Sequence, residues 1–290
     1  MFTCELLGVN RQVYYRAKQA KIYKQELANK VIELVRSIRM IMPKLGVRKL
    51  YDKLRLQLSK LSVGRDKLFT ILKANHMLIQ PKKKYHITTN SHHRFKKHQN
   101  LITSLNYDKP EQVWVSDITY IGNRKKPCYL ALITDAYSKK IVGYDVSDSL
   151  QVCGTLRALE MAIKNRNYKQ TPLIHHSDRG LQYCSNEYQK ILNQNNIKAS
   201  MTQKYDPYEN AIAERINGIL KQEFDIDKYN MELKIKKKLV KNAIEIYNNF
   251  RQHLSNHMLT PNQMHRQNKL KRKQYKNKKG SNLKSLPLLY

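Results

Sequence analysis

The chain has 290 residues, of which 55 are Lys or Arg and 22 are Asp or Glu, so its formal net charge is +33. This length allows one large core or two to three smaller units. The charge favours a polyanion such as nucleic acid as the partner. The sequence contains no signal peptide and no apolar stretch long enough to span a bilayer, so we expect no membrane partner and a cytoplasmic location.

The charge is concentrated at the two ends of the chain. Residues 1–106 carry 23 bases and 5 acids, and residues 231–290 carry 15 bases and 2 acids. Residues 107–230 are nearly neutral, with 17 bases and 15 acids. This partition predicts a central core that basic regions hold on a polyanion. The four cysteines form no C-x-x-C pair, which is typical of free thiols in a reducing cytosol.

Helical periodicity dominates the first 79 residues. Asn10 is predicted to cap a helix within an N-terminal helical segment, residues 1–29. Apolar residues at helical spacing predict three short helices within residues 30–79. Their basic polar faces favour a helix-turn-helix DNA-binding domain over a plain three-helix bundle. The third helix would offer four side chains to DNA: Arg65, Lys67, Thr70 and Lys73.

Residues 80–106 are predicted to form a basic linker. Pro81 ends the last helix, and Lys82, Lys83 and Lys84 form a basic run that we expect to follow the DNA backbone. Four histidines in this region match no zinc-binding pattern, so a metal site here is disfavoured.

Strand and helix patterns then alternate between residues 107 and 230. Three strands are predicted first, followed by helix and strand units; the predicted strands are Val113–Ile121, Cys128–Thr134, Ile141–Ser147, Pro172–His176 and Ile197–Met201. Three antiparallel strands followed by parallel ones are the order of an α/β RNase H-like fold with a mixed five-stranded sheet. These elements supply the apolar faces of one core, so residues 107–230 are expected to fold as a unit.

Three carboxylates occupy structured settings within this core. Asp117 interrupts a run of strand formers, Asp178 follows a buried strand and precedes a glycine turn, and Glu214 lies on a predicted helix. The gaps between them are 61 and 36 positions. Acidic side chains are rarely buried without a partner, so three that converge would suggest a hard cation.

The motifs around these residues are Val113-Trp-Val-Ser-Asp117, His175-His-Ser-Asp178-Arg-Gly180 and Glu209-Asn-Ala-Ile-Ala-Glu214. Together with their spacing they resemble the DDE transposases of bacterial insertion sequences, of the OrfB type with a core like that of retroviral integrases. The resemblance implies that Asp117, Asp178 and Glu214 are catalytic and bind two Mg²⁺ ions, for which Mn²⁺ would substitute. It also implies that Asp117 is the ligand that both ions share.

The helix around Glu214 is predicted to carry a polar stripe. At 100° per residue, Asn210, Glu214, Asn217 and Lys221 fall within about 60° of one another. The isoleucines at positions 212, 216 and 219 cover the other side, which would pack as core. We predict that Asn210, Asn217 and Lys221 contact DNA. In the resembling family a basic residue follows the glutamate by seven positions, as Lys221 does here.

The last region, residues 231–290, is predicted to be a basic helix followed by a basic tail. Its motifs Tyr247-Asn-Asn-Phe-Arg251 and Leu259-Thr-Pro261 resemble the C-terminal motifs of the same family. In that family a separate upstream frame commonly supplies a further helix-turn-helix and a leucine zipper. This chain is therefore expected to be part of a larger active protein, joined to such a product by fusion or association.

The resemblance implies a transposase that cleaves DNA at the terminal inverted repeats of its element and transfers the strand, with Mg²⁺ as cofactor. Double-stranded DNA would be the partner, and paired ends imply a homo-oligomer on DNA, associated with the nucleoid. Three alternatives stay open: a retroviral-type integrase, an RNase H-like nuclease that does not join strands, and a non-catalytic DNA-binding regulator. The first lacks its expected zinc unit here, and three intact carboxylates disfavour the last.

Overall fold

The structure is a computed structural model, and it describes residues 8, 10–80, 97–103, 105–123, 126–203, 210–228 and 231–271. The chain divides into two compact units, Met1–Pro81 and Lys82–Tyr290. The described helices include none that is long and apolar enough to cross a membrane. The three described cysteines, Cys128, Cys153 and Cys184, are free thiols.

The described part of the first unit contains one long helix, α1 (Arg11–Ile41). As predicted, Asn10 caps it: its Oδ1 atom accepts a hydrogen bond of 2.9 Å from the backbone N–H of Gln12. The helix continues without a break past residue 29, where the sequence suggested a boundary between two segments. Leucine, alanine, lysine and glutamine, all good helix formers, explain this continuity.

Three short helices complete the first unit, α2 (Val47–Lys53), α3 (Arg55–Lys60) and α4 (Arg65–Ala74). The predicted second helix is thus two short helices. Their apolar sides form one core with the C-terminal half of α1, made of buried leucines and valines: Val31, Val35, Leu45, Leu50, Leu54, Leu58, Leu68 and Leu72. The region predicted to be all-helical is confirmed as such.

The second unit contains a five-stranded sheet in the order β3-β2-β1-β4-β5. The strands are β1 (Val113–Asn123), β2 (Lys126–Asp135), β3 (Ile141–Ser147), β4 (Leu173–Ser177) and β5 (Ile197–Met201). The first three are antiparallel, whereas β4 and β5 run parallel to β1. The predicted mixed sheet of an RNase H-like fold is therefore confirmed.

Helices cover both faces of this sheet. The helices of this unit are α5 (Val152–Lys164), α6 (Leu181–Cys184), α7 (Asn186–Gln194), α8 (Ala211–Glu223), α9 (Leu233–Phe250) and α10 (Pro261–His265). Trp114 of β1 is buried against the side of α5, α6 and α7. Val113 and Val115 point to the opposite face, with Ala213 of α8 and Met264 of α10. This alternation follows the two-residue period of a strand.

The end of the predicted linker lies against the edge strand β5. The backbone carbonyl of Gln99 accepts a bond from Met201 N–H at 3.3 Å, and Leu101 N–H donates to the Ser200 hydroxyl at 2.9 Å. The first of these bonds occupies a backbone N–H of β5, the strand at one edge of the sheet. Residues 82–96, which include Lys82, Lys83 and Lys84, lie outside the described residues.

Helices α9 and α10 belong to the core of the sheet, contrary to the expectation that residues 107–230 contain a complete core. Val240, Ile244 and Tyr247 of α9 are buried in one cluster with Leu130 of β2 and Ile216 of α8. The predicted basic helix is therefore present, and one side of it is apolar. The predicted boundary between the core and the basic C-terminal region, at residue 230, follows the change in composition. It does not mark the end of the core, because the inner face of this basic helix is apolar.

Polar side chains of the Tyr247–Arg251 motif bind α9 to the turn between β2 and β3. The Tyr247 hydroxyl donates to the Lys139 carbonyl at 2.8 Å. The Asn248 amide accepts from Ile141 N–H and donates to its carbonyl, both at 3.0 Å. The Arg251 guanidinium, which is almost fully buried, donates to both carboxylate oxygens of Glu223 at 2.6 and 2.7 Å. Because Glu223 ends α8, Arg251 also holds that helix.

A buried cluster of charged side chains attaches α10 to the start of the sheet. His265 Nε2 lies 3.2 Å from Glu111 Oε1, and His265 Nδ1 lies 3.7 Å from Asp135 Oδ1. Asp135, predicted to be a turn former, accepts from Ser138 N–H at 2.7 Å and from Glu111 N–H at 2.7 Å. Burial alone would lower the pKa of His265, but the neighbouring carboxylates of Asp135 and Glu111 raise it.

We expect a fragment of residues 97–271 to unfold cooperatively in urea, and a fragment of residues 107–230 to lack a cooperative transition. Burial of each large apolar side chain contributes about 1.5–3 kcal/mol, so loss of the α9 contacts removes much of the roughly 5–15 kcal/mol stability typical of a domain. Circular dichroism would follow both transitions. Equal midpoints for the two fragments would contradict the assignment of α9 and α10 to this core.

The His265→Gln variant should lose about 3 kcal/mol of unfolding free energy near pH 6, because Glu111 and Asp135 then lose the cation that lies between them and Glu111 keeps only Arg166, at 3.7 Å. The raised pKa of His265 means that its contribution is full below about pH 6.5 and disappears as the pH rises through that raised value. The difference from the unmodified chain, measured by urea unfolding, should therefore shrink in alkaline buffer.

The matched control is His257→Gln, which changes a histidine whose Nε2 atom faces the Lys271 carbonyl at the surface. It should alter the unfolding free energy by less than about 0.5 kcal/mol. A loss at His265→Gln that stays constant between pH 6 and 9 would mean that His265 acts through packing alone.

Candidate active site

Asp117 lies on β1, and Asp178 directly follows the neighbouring parallel strand β4. The register of β1 and β4 pairs Val113 with Ile174 and Val115 with His176, an offset of 61 positions. The two aspartates are also 61 positions apart. Continuation of the same register therefore brings Asp178, which directly follows β4, opposite Asp117. Carboxyl ends of parallel strands are where open α/β sheets commonly place their sites.

The turn after β4 fixes the Asp178 side chain. Its Oδ1 atom accepts a hydrogen bond of 3.1 Å from the backbone N–H of Gly180. A β-carbon at position 180 would lie 3.1 Å from the same oxygen, tighter than ordinary contact. Glycine at this position thus leaves room for the carboxylate.

Glu214 is brought to the same edge by two asparagines of its helix region. The Asn210 amide donates to the Ser116 carbonyl at 2.9 Å, and the Asn217 amide donates to Asp117 Oδ2 at 2.8 Å. Both asparagines are buried. Glu214 itself is exposed. The polar stripe of α8 therefore faces β1, and its two amides are bonded within the protein.

The charges of the three carboxylates act on one another. Burial and the charge of Asp178, together with that of Glu214, raise the pKa of Asp117 to about 7 against the opposing hydrogen bond from Asn217. Partial burial and the charge of Asp178 also raise the pKa of Glu214. Mutual repulsion of this kind requires that the carboxylates lie near each other.

The described residues contain no group of three or more His, Cys, Asp and Glu side chains gathered tightly enough to hold a metal ion. The three carboxylates therefore interact electrostatically without converging to a complete ligand set. Their chemistry is nevertheless uniform: all donors are carboxylate oxygens, the ligand type that Mg²⁺ prefers. A divalent cation among them would offset the repulsion that, together with burial, raises the pKa values of Asp117 and Glu214.

Lys221 lies at the same end of the sheet, two turns after Glu214 on α8. Burial lowers its pKa, and the charges of Asp227 and Asp117 oppose this shift. Lys221 is thus half-buried beside acidic groups of the site. Arg65, Lys67, Thr70 and Lys73 are exposed on α4 of the first unit, where the Thr70 hydroxyl donates to the Asp66 carbonyl at 2.9 Å. Glu209 lies outside the described residues.

A buried polar network supports Asp117 from the other face of the sheet. The Nε2 atom of His175 lies 2.7 Å from the Ser116 hydroxyl and 2.9 Å from the Tyr188 hydroxyl. Burial lowers the pKa of His175 to about 3, so the ring is neutral. This network was not predicted from the sequence, although Ser116 and His175 are polar residues inside buried strands and buried polar groups need hydrogen-bond partners.

His176, whose role the sequence left open, is buried at the end of β4. Its Nδ1 atom lies 2.9 Å from the Ser200 hydroxyl, which also accepts from Leu101 N–H at 2.9 Å. This position favours a structural role at the strand end. Trp114, two residues before Ser116 on the same strand, is fully buried in the core.

Comparison with known proteins identifies the family. Residues 107–207 and residues 195–261 match the family description "Integrase core domain". The chain is 34% identical over 225 residues to the "Insertion element IS600 uncharacterized 31 kDa protein" of Shigella sonnei, an alignment that covers 76% of this chain and 81% of that one. It is 40% identical over 114 residues to the "Transposase for insertion sequence element IS629" of the same species. The chain belongs to the insertion-sequence transposases with an integrase core domain.

The share of each chain that is similar differs from one relative to another. The alignment with the IS629 transposase covers 39% of this chain and 38% of that transposase. Among solved structures, the HTLV-2 integrase catalytic core domain in complex with magnesium is similar over 54% of this chain and 97% of that chain, with 23% identity and a TM-score of 0.43. The integrase core matches extend to residue 261, so this transposase chain shares with its family the segment that contains α9.

Proposed function

We propose that this transposase chain cleaves DNA at the terminal inverted repeats of its insertion sequence and then joins the freed strand to new DNA, in a reaction that depends on Mg²⁺. The observation that carries the proposal is the position of Asp117, Asp178 and Glu214 at one edge of the sheet, where their charges act on one another. Membership in the transposase family supports the DNA substrate.

Asp117, Asp178 and Glu214 would hold two divalent ions, with Asp117 shared between them and Mn²⁺ as a substitute for Mg²⁺. Such ions stabilise the attacking and leaving oxygens of a phosphodiester and the charge that develops between them. The support for this assignment is the donor set, which consists of carboxylate oxygens alone, and the raised pKa of Asp117, which indicates a site that favours added positive charge.

In the first step a water oxygen bonds to phosphorus and the bond from phosphorus to the 3′ oxygen breaks. The 3′ oxygen leaves with a proton as a hydroxyl, and a 5′-phosphate remains. In the second step this hydroxyl attacks a phosphodiester of the target, and the displaced target oxygen takes the proton. Both steps are in-line displacements on the same kind of bond, so one set of side chains serves both.

Neighbouring side chains would orient the site and the DNA. Asn217 would hold the Asp117 carboxylate through its 2.8 Å hydrogen bond, and Asn210 would fix α8 to β1, so both act by positioning although we predicted them to be DNA contacts. Lys221 would bind a phosphate near the cleaved bond. The exposed α4 residues Arg65, Lys67, Thr70 and Lys73, with the Lys82–Lys84 run, would bind DNA outside the site.

The same proposal implies a set of partners. Paired element ends require at least two copies of the chain on DNA, and an upstream-frame product would join them by fusion or association. Such a complex would reside on the nucleoid in the bacterial cytoplasm.

Replacement of any one of Asp117, Asp178 or Glu214 by its amide should lower cleavage of terminal-repeat DNA in Mg²⁺ by about 10³-fold or more, because a lost metal ligand removes several kcal/mol of transition-state stabilisation. Gel-based single-turnover assays would measure the rate, and binding of the same DNA should change only a few-fold. Glu187→Gln, an exposed acid on α7, is the matched control and should cleave normally, and Glu209→Gln should be mild. Normal cleavage by Asp178→Asn would contradict the assignment of the three carboxylates as metal ligands.

Pre-cleaved end DNA with a free 3′-hydroxyl, incubated with supercoiled plasmid, chain and Mg²⁺, should yield covalent joint molecules. The same DNA with a 3′-deoxy end is the control, because it has no nucleophile and should give none. Shortened fragments without joints, under conditions where the chain cleaves, would favour a nuclease that does not join strands.

A further inference from the structure

The N-terminal half of α1 forms a surface that the site does not use. Every residue from Arg11 to Glu26 is exposed in the described structure, whereas Leu27, Val31 and Val35 bury the second half of the same helix. Because the buried half has already formed the helix, the exposed half needs only propagation and no new nucleus. It extends for about 22 Å at 1.5 Å per residue.

The exposed half of α1 is uniformly basic. It contains five bases and no acid between residues 11 and 25. At 100° per residue, Lys18, Lys21 and Lys24 lie with Tyr14 and Gln25 in a sector about 120° wide. The first acid, Glu26, lies outside this sector, about 140° from its centre, and Tyr15 and Ile22 lie between the two. One face therefore presents positive charge without a neighbouring carboxylate on the same helix.

We propose that this basic face of α1, which we call the Lys18–Lys24 face, binds the phosphates of duplex DNA. The inference rests on the proposed function, which makes duplex DNA the substrate, and adds a binding surface to it. Duplex DNA carries about one negative charge per 1.7 Å, and its major groove is wide enough to admit an α-helix. An exposed basic helix of this length would meet several phosphates at once.

Charge selects DNA over a second copy of the chain as the occupant. Two copies paired through this face would bring Lys18, Lys21 and Lys24 against the same residues of the other helix, and like charges that face each other across paired helices are destabilising. The contacts we assign are to phosphates and carry no sequence preference. They should strengthen binding equally for terminal-repeat DNA and for DNA of arbitrary sequence.

The test is a salt titration of the full-length chain with labelled duplex DNA, in EDTA so that the DNA stays intact. The variant Lys18→Gln, Lys21→Gln, Lys24→Gln keeps good helix formers and removes three charges. Each lost phosphate contact should make the slope of log K against log salt shallower by about 0.9, hence by up to about 2.7 for the three. Affinity should fall about tenfold or more at 0.1 M salt for both kinds of duplex.

The matched control is Lys164→Gln, Lys169→Gln, Lys190→Gln, three exposed lysines of the second unit. It removes the same net charge and should leave the slope nearly unchanged. Equal slopes for the two triple variants would overturn the proposal, because only net charge would then matter. Circular dichroism should report equal helix content for the variants and the unmodified chain.

A second variant changes two exposed apolar side chains that lie next to the Lys18–Lys24 face. Tyr15→Gln with Ile22→Gln removes apolar surface and keeps the charge, so it should bind DNA like the unmodified chain. Loss of DNA affinity here, with none in the Lys18–Lys24 face variant, would overturn the proposal. If the unmodified full-length chain binds no duplex DNA at low salt, the proposed function itself is contradicted. If it binds DNA and the triple lysine variant has the same salt slope, only the assignment of phosphate contacts to α1 is contradicted.

Discussion

The parallel pairing of β1 with β4 is the constraint on which the candidate site depends. Its offset of 61 positions equals the spacing of Asp117 and Asp178, so backbone hydrogen bonds bring two like charges to one edge. A slip of one residue would turn the side chains of a strand to the other face. Trp114 and Val115, buried on opposite faces, oppose such a slip.

The third carboxylate depends on contacts far along the chain. Helix α8 is held to β1 by two asparagine amides near its start and middle, and at its end Glu223 is paired with the buried Arg251. Breaking a buried pair leaves an uncompensated charge, so both partners are constrained. The Tyr247–Arg251 motif therefore contributes to the site indirectly, because Arg251 positions the helix that bears Glu214.

The strands and the mixed sheet could be predicted from the sequence, because period-two alternation is a local signal. The three carboxylates were assigned through the resemblance of their motifs and spacing to a known family, and their role in catalysis stays a prediction. The role of α9 and α10 in the core could not be predicted, since their basic outer surface masks an apolar inner face that only tertiary packing uses. The asparagines of α8 were predicted to share one face with Glu214, and they do. That the face points at β1 depends on bonds from Asn210 and Asn217 to groups about a hundred positions away, which no local pattern encodes.

The most direct test of the account is a crystal structure of the chain with Mn²⁺ and element-end DNA, with anomalous diffraction used to locate the metal. The account predicts anomalous peaks between Asp117 and Asp178, with Glu214 drawn from the exposed rim of the site into the same ligand shell. Peaks bound by other side chains, with the two aspartates remaining bonded only within the protein, would contradict it.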